Sequence, residues 1–197
     1  MTKKILAPAV ATVFIFSLLA LFLPTPARPE SSPLKGKKEV SMASFEDLVR
    51  AAKAGDMEAE YRLGYIYEKG RGIPRDYNEA EKWYLMAAGR GHTGAQVRLG
   101  KMYAAGHGVK RDYKEAARWF TMAAEHGNAE AQYNLGVLHS RGDGVPRDYV
   151  ISYMWLNLAG AGGYGPARKR LDKLEAKMPE REVELAQKLS REFVVKK

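Results

Sequence analysis

Between residues 55 and 162 one pattern of apolar, small and polar positions occurs three times, with a period of 36 residues. In the first half of each copy, Ala59, Leu63, Gly64 and Tyr67 return as Ala95, Leu99, Gly100 and Tyr103, then as Ala131, Leu135, Gly136 and His139. In the second half, Tyr77, Ala80, Trp83, Tyr84 and Ala87 return as Tyr113, Ala116, Trp119, Phe120 and Ala123; the third copy keeps Tyr149, Trp155, Leu156 and Ala159. Steps of three and four place each set on one helix face. A pair of short helices cannot bury such a face alone, so successive pairs must stack into a continuous core. The predicted fold is all-α. It is a right-handed α-solenoid of antiparallel helix pairs, with about three full 36-residue repeats plus capping helices, preceded by one N-terminal hydrophobic segment. The repeats are Gly55–Arg90, Gly91–His126 and Gly127–Gly162.

The two helices of each copy are joined by GRGIPRDY (Gly70–Tyr77), GHGVKRDY (Gly106–Tyr113) or GDGVPRDY (Gly142–Tyr149). Two glycines one residue apart let a helix stop and the chain turn. Asp76, Asp112 and Asp148 then stand where a new helix needs an N-cap. Glu79 and Glu115, three residues on, suggest capping boxes, and Ile151 in the third copy suggests a weaker start. Arg75, Arg111 and Arg147 have no evident role in the joint, and pairing with a neighbouring carboxylate is expected of them. A glycine inside a helix costs about 1 kcal/mol relative to alanine. Gly64, Gly100 and Gly136 recur at such a position, so close approach of the partner helix should compensate, with a bulky side chain filling the notch.

The ends differ from the repeats. Phe45–Gly55 aligns with a second helix and reads as an N-terminal cap, with Ser44 as its N-cap. Ala167, Leu171 and Leu174 continue the stripe as the first helix of an incomplete fourth repeat, and Pro179 stops it. From Glu180 to about 194 a last amphipathic helix, with Val183, Leu185, Ala186, Leu189 and Phe193 apolar, covers the open end. The domain reading is therefore 1–27 signal peptide or signal-anchor helix, 28–43 basic and Pro-rich linker, 44–178 repeat solenoid, and 179–197 C-terminal capping helix. The first segment carries Lys3 and Lys4 followed by an uncharged run, Ile5 to Leu23, whose length stands between a cleavable signal and a spanning anchor. Export across the inner membrane is expected either way. The product would be periplasmic, soluble after cleavage or held by the N-terminal helix.

The chain carries a formal net charge of +9. That excess lies outside the repeats: residues 1–40 and 163–197 are each net +4, whereas 41–162 carry 16 basic against 15 acidic residues. A nucleic-acid partner is not expected from so neutral a body. With no cysteine, thiolate metal sites, thiol nucleophiles and disulfides are excluded. His92, His107, His126 and His139 lack the i, i+4 spacing of helical zinc motifs. No nucleophile elbow, phosphate loop or dinucleotide fingerprint is present. No catalytic residue, metal ligand or cofactor is therefore assigned.

The pattern A-x-A-x-x-x-L-G-x-x-Y followed by G-x-G-[IV]-x-R-D-Y-x-x-A-x-x-W-[YF]-x-x-A-A resembles the Sel-one-like repeat, a branch of the tetratricopeptide superfamily. The resemblance covers about residues 45–175. The third copy departs where Ser152 replaces the alanine of 80 and 116, and where Gly160 replaces the second alanine of the pair. The resemblance implies a non-enzymatic protein–protein interaction module or scaffold whose first helices line a concave groove for a partner protein or peptide. By register the implied groove positions are Tyr61, Tyr65, Val97, Lys101, Tyr133, Val137 and Arg141, although the same register also fits tyrosines packed in the seam between repeats. A cell-wall-associated ligand-binding or hydrolytic protein is the alternative, and a subunit that oligomerises through its stack end is a third reading.

Overall fold

The helix-interior glycines set how closely each pair can pack. A Cβ on Gly64 would lie 2.6 Å from Tyr84 ring carbons, and one on Gly100 would lie 2.6 Å from Phe120. At Gly136 it would lie 2.8 Å from Leu156 Cγ. Tyr84, Phe120 and Leu156 are all buried, so each pair of helices closes with a large side chain seated in the partner's glycine notch. The gain from this contact offsets the helix-propensity loss expected of the glycines.

The computed structural model describes residues 42–193, which hold nine helices and no strand. These are α1 (Met42–Lys53), α2 (Met57–Lys69), α3 (Tyr77–Gly89), α4 (Thr93–Ala105), α5 (Tyr113–Glu125), α6 (Ala129–Arg141), α7 (Tyr149–Ala161), α8 (Pro166–Glu175) and α9 (Glu180–Glu192). Helices α2/α3, α4/α5 and α6/α7 are the three antiparallel pairs, and each pair packs on its neighbour in chain order. Both α8 and α9 pack on α7. The segment 1–27 and residues 28–41 of the expected linker lie outside the described residues. Residues 42 and 43, assigned to that linker, already belong to α1, and Ser44 falls inside its first turn instead of capping it. No helix among the described residues is long and apolar enough to cross a membrane.

The joints behave as the sequence predicts in most respects. Gly70, Gly106 and Gly142 take left-handed backbone angles and end their helices. Asp76 and Asp112 each accept two backbone N–H bonds, whereas Asp148 accepts one, from Ile151. The reciprocal half of the capping box is absent. The backbone N–H groups of Asp76, Asp112 and Asp148 donate instead to the carbonyls of Tyr67, Tyr103 and His139 in the preceding helix, at 2.9–3.0 Å. Glu79 and Glu115 are thereby left to pair with Lys82 and Arg118. The recurring arginines also differ from expectation. Arg75, Arg111 and Arg147 lay their guanidinium groups over the rings of Tyr77, Tyr113 and Tyr149, at 5.2, 5.6 and 6.0 Å, a cation–π contact within the joint.

The joints also lock one repeat to the next. A Cβ on Gly108 would lie 2.3 Å from Tyr77 Cβ, and one on Gly144 would lie 2.3 Å from the Tyr113 carbonyl carbon. The turns of the second and third repeats thus rest directly on the start of the preceding repeat's second helix. His107 adds a stacked contact with Tyr77 at 5.3 Å.

A second set of N-caps opens the first helices: Asp56, His92 and Asn128, each accepting from the backbone three residues on. Ser152 keeps its place in the core by donating 2.7 Å to the Gly136 carbonyl. At the C-terminal end Val183, Ala186 and Ser190 of α9 are buried, and Phe193 meets Trp155 edge-on at 5.1 Å. Leu185, expected on the apolar face, is 47 % exposed, because α9 turns the 183/186/190 stripe toward α7.

One column conflicts with its repeat. Gln96 and Gln132 are buried and donate to the Ala88 and Ala124 carbonyls at 3.2 and 3.1 Å. The first repeat has Glu60 there, fully buried, with no hydrogen bond to either oxygen and only Arg90 at 3.7 Å. Arg90 meanwhile donates 2.5 Å to the Gly55 carbonyl. A carboxylate supplies no donor to the carbonyl that this slot presents, and an unsatisfied buried polar group costs about 1–3 kcal/mol.

Two stability measurements test this account. Glu60→Gln should raise the unfolding free energy by about 1–2 kcal/mol through a new amide-to-carbonyl bond of the kind seen at Gln96; an unchanged or lowered denaturation midpoint would show that Arg90 satisfies the carboxylate. Gly100→Ala should lower stability by about 1–2 kcal/mol, because overpacking against Phe120 exceeds the helix-propensity gain; a raised midpoint would mean that the ring can slide aside at no cost.

Candidate concave binding surface

The first helices α2, α4 and α6 line one face of the stack, and a crevice of about 510 Å³ runs across it. Its walls include Glu68, Arg98, Lys101, Asn134, Val137 and Arg141. Tyr77 and Tyr113 reach it from the joints. The 36-residue period therefore brings equivalent positions of successive repeats into one continuous depression.

The seven residues predicted for this face divide into two columns. Tyr61, Val97 and Tyr133 occupy the seam. Tyr61 stacks on His92, the N-cap of the next repeat, at 4.4 Å, and Tyr133 packs on Tyr164 at 5.0 Å. Val97 is 3 % exposed and belongs to the core, so it offers no surface to a partner. Its predicted groove position is corrected to a core position, because the neighbouring repeat covers the 61/97/133 column. Lys101, Val137 and Arg141 do line the crevice. Tyr65 sits beside it beneath Lys69, Arg71 and Arg98, whose charged ends lie 5.7, 4.9 and 5.1 Å from its ring centre. Arg98 and Glu68 were not singled out from the sequence, although both stand one helical turn from predicted positions.

Electrostatics on this face are largely self-compensated. Glu68 accepts from Tyr84 at 2.7 Å, pairs with Lys69 and lies 3.6 Å from Arg98. Burial opposes ionisation of Glu68, and the hydrogen bonds from Lys69 and Tyr84 together with the Arg98 charge outweigh it, so its carboxyl lies below the usual range. The same contact, added to burial, pushes the Tyr84 hydroxyl far up. Lys101 pairs with Glu130 of the next repeat, and Arg141 lies 3.9 Å from Asp143. Between α4 and α3, burial and Glu81 push Tyr103 up to about 12.

The histidines have structural partners. His92 accepts the Ala95 N–H at Nδ1 and meets Glu58 through Nε2 at 3.2 Å. His126 contacts the Met122 carbonyl, and His139 is held toward its neutral form by burial. Among the described residues no three histidine or acidic side chains converge on a point that could hold a metal.

Comparison with known proteins adds a consistent set of likenesses. A family model for the Sel1 repeat matches residues 58–92, 93–128 and 129–164. In structure the chain is similar to a protective antigen of uropathogenic Escherichia coli with an SLR fold, at 32% identity and TM-score 0.70, over 76% of this chain and 32% of that one. It is also similar to a Sel1 repeat protein from Oxalobacter formigenes, at 39% identity and TM-score 0.62, over 67% of this chain and 99% of that one. Among curated proteins, a chitin synthase regulator of Saccharomyces cerevisiae is 48% identical over 46 residues, 23% of this chain. Its counterpart from Malassezia restricta is 53% identical over 38 residues. The matched stretches span 7% and 3% of those two proteins.

Glu68 gives this surface a pH signature. Its folded pKa lies below its unfolded value, so its stabilisation is complete above about pH 5 and is lost as the pH falls through the folded value. Glu68→Gln should flatten the acid limb of stability and cost about 1–2 kcal/mol at pH 7, where Tyr84 and Arg98 lose a charged partner. Urea midpoints from pH 7 to 3 check this; parallel curves for the two proteins would remove Glu68 from the acid response.

Proposed function

The chain belongs to the Sel1 repeat family, and from that premise we propose that it is a non-enzymatic binding module that holds an extended segment of a partner protein along its concave face. The observation that carries the reading is the crevice across α2, α4 and α6, where Lys101, Val137 and Arg141 present cationic and apolar groups at repeating intervals. An extended segment can follow such a periodic surface, with apolar side chains on Val137 and acidic ones exchanging with Glu130 and Asp143 at Lys101 and Arg141. Tyr65, rigid and already flanked by cations, is the aromatic anchor beside it. The seam residues Tyr61, Val97 and Tyr133 fix the curvature of that surface rather than touch the partner.

The fungal relatives are named as regulators of an enzyme, which supports a binding role over a catalytic one. The basic start and uncharged run of residues 1–27 support export, with the repeats held at the outer face of the inner membrane or released beside it. No observation favours the hydrolytic alternative.

Site-specific photo-cross-linking in native membranes tests the reading. A cross-linking residue at Val137 should capture a discrete partner, and the same residue at Lys82 on α3 should not. Adding Tyr65→Ala and Arg141→Ala should reduce the Val137 adduct at least fivefold. Equal capture from positions 137 and 82, or an adduct insensitive to both changes, would overturn the groove assignment.

A further inference from the structure

A second crevice, of about 230 Å³, lies one repeat further along the stack. It is the same structural position shifted by one period. Ala104, Asn134, Val137 and Arg141 in the wall of the first crevice become Ser140, Arg170, Lys173 and Lys177 in the second. The floor is conserved in kind: Phe120 and Leu138 become Leu156 and Leu174, and Tyr113 becomes Tyr149. The charge is not. With Arg141 shared between the two, the second crevice is lined by four cations and no carboxylate.

Arg141 keeps Asp143 at 3.9 Å, but the other three differ from the cations of the first crevice, which Glu68, Glu130 and Asp143 offset. Among the described residues Arg170, Lys173 and Lys177 have no carboxylate within ion-pair distance. The Arg170 guanidinium lies over the Tyr133 ring at 5.9 Å. Of the two acidic residues beside them in sequence, Asp172 is taken by Arg168 at 3.2 Å and Glu175 faces the Tyr153 hydroxyl at 3.5 Å. The basic excess of residues 163–197 is thus concentrated in part on one concavity with an apolar floor.

We propose that this crevice between repeat three and α8 is a binding site for a phosphate ester. Three cations without an acidic partner exceed what one carboxylate neutralises, whereas a phosphate monoester carries close to two negative charges and three acceptor oxygens. Arg141 and Arg170 supply planar forks, Lys173 and Lys177 supply point charges, and Tyr149 supplies a hydroxyl donor, whereas the Ser140 hydroxyl donates to the Val137 carbonyl at 2.8 Å. Leu156 and Leu174 are buried beneath the crevice, so the Tyr149 ring and the alkyl stems of Lys173 and Lys177 face the organic part of the ester. The inference stands apart from the partner-binding reading except at Arg141, because the other lining residues belong to the second crevice alone.

Calorimetric titration of the full chain in neutral detergent tests it. The probes are phenyl phosphate, benzoate, and monomeric dihexanoyl phosphatidylglycerol and phosphatidylcholine. Phenyl phosphate should bind saturably and at least tenfold tighter than benzoate. Lys173→Gln combined with Lys177→Gln should weaken it at least tenfold with an unchanged unfolding midpoint, while Val137→Ser, a change in the first crevice, should leave it unaltered. Tighter binding of phosphatidylglycerol than of phenyl phosphate, lost in the double variant, would assign the ester to a lipid headgroup; the reverse order would assign it to a soluble ester. The proposal is overturned by absence of saturation with any phosphate probe, by equal affinity for benzoate, by an insensitive double variant, or by saturable binding of a polyglutamate peptide alone.

Discussion

Everything in this stack depends on the depth to which one side chain enters the partner helix. The glycine at 64, 100 and 136 removes the only atom that would keep Tyr84, Phe120 or Leu156 at ordinary distance. Because the contact recurs at a fixed register, it fixes the spacing of the two helices in every repeat. That spacing fixes where the joint lands, and the joint lands on the tyrosine that begins the previous repeat's second helix. The geometry of the concave face follows from contacts buried behind it.

The joint serves three purposes with eight residues. Its first glycine reverses the chain, its aspartate opens the next helix, and its second glycine admits the neighbouring repeat. The arginine is held over the tyrosine two residues on, a contact whose two members come from the same joint and so recurs wherever the joint does. The columns of charge behave differently. They vary from repeat to repeat, because they face solvent and are not constrained by packing.

Much of this was legible in the sequence because packing at a fixed period leaves a periodic trace. The glycine notch, the aspartate caps and the helix pairs could all be read from columns 36 residues apart. Seam and groove could not be separated that way. Tyr61 and Tyr65 lie one helical turn apart on the same stripe, and which one the next repeat covers depends on the rotation between repeats, a tertiary quantity. The capping boxes failed for a related reason: the aspartate N–H is taken by a carbonyl of the preceding helix, so the glutamate has nothing to reach back to. Two signals were present in the columns and were not used. The 56/92/128 column of Asp, His and Asn is a set of N-caps, and Glu60 among Gln96 and Gln132 marks a slot that calls for a donor.

The way α9 lies over α7 has a consequence for how a chain of this kind can lengthen. Helix α8 has the register of a first helix, yet the helix after it does not complete the pair and folds back on α7 instead. A duplicated 36-residue unit placed between two existing repeats meets the same joint on both sides and can be accommodated without rebuilding either. A unit added after residue 162 would have to displace α9 from Trp155 first. Growth of the array is therefore internal, and the terminal crevice, with its own charge, stays at the end however many units are inserted before it.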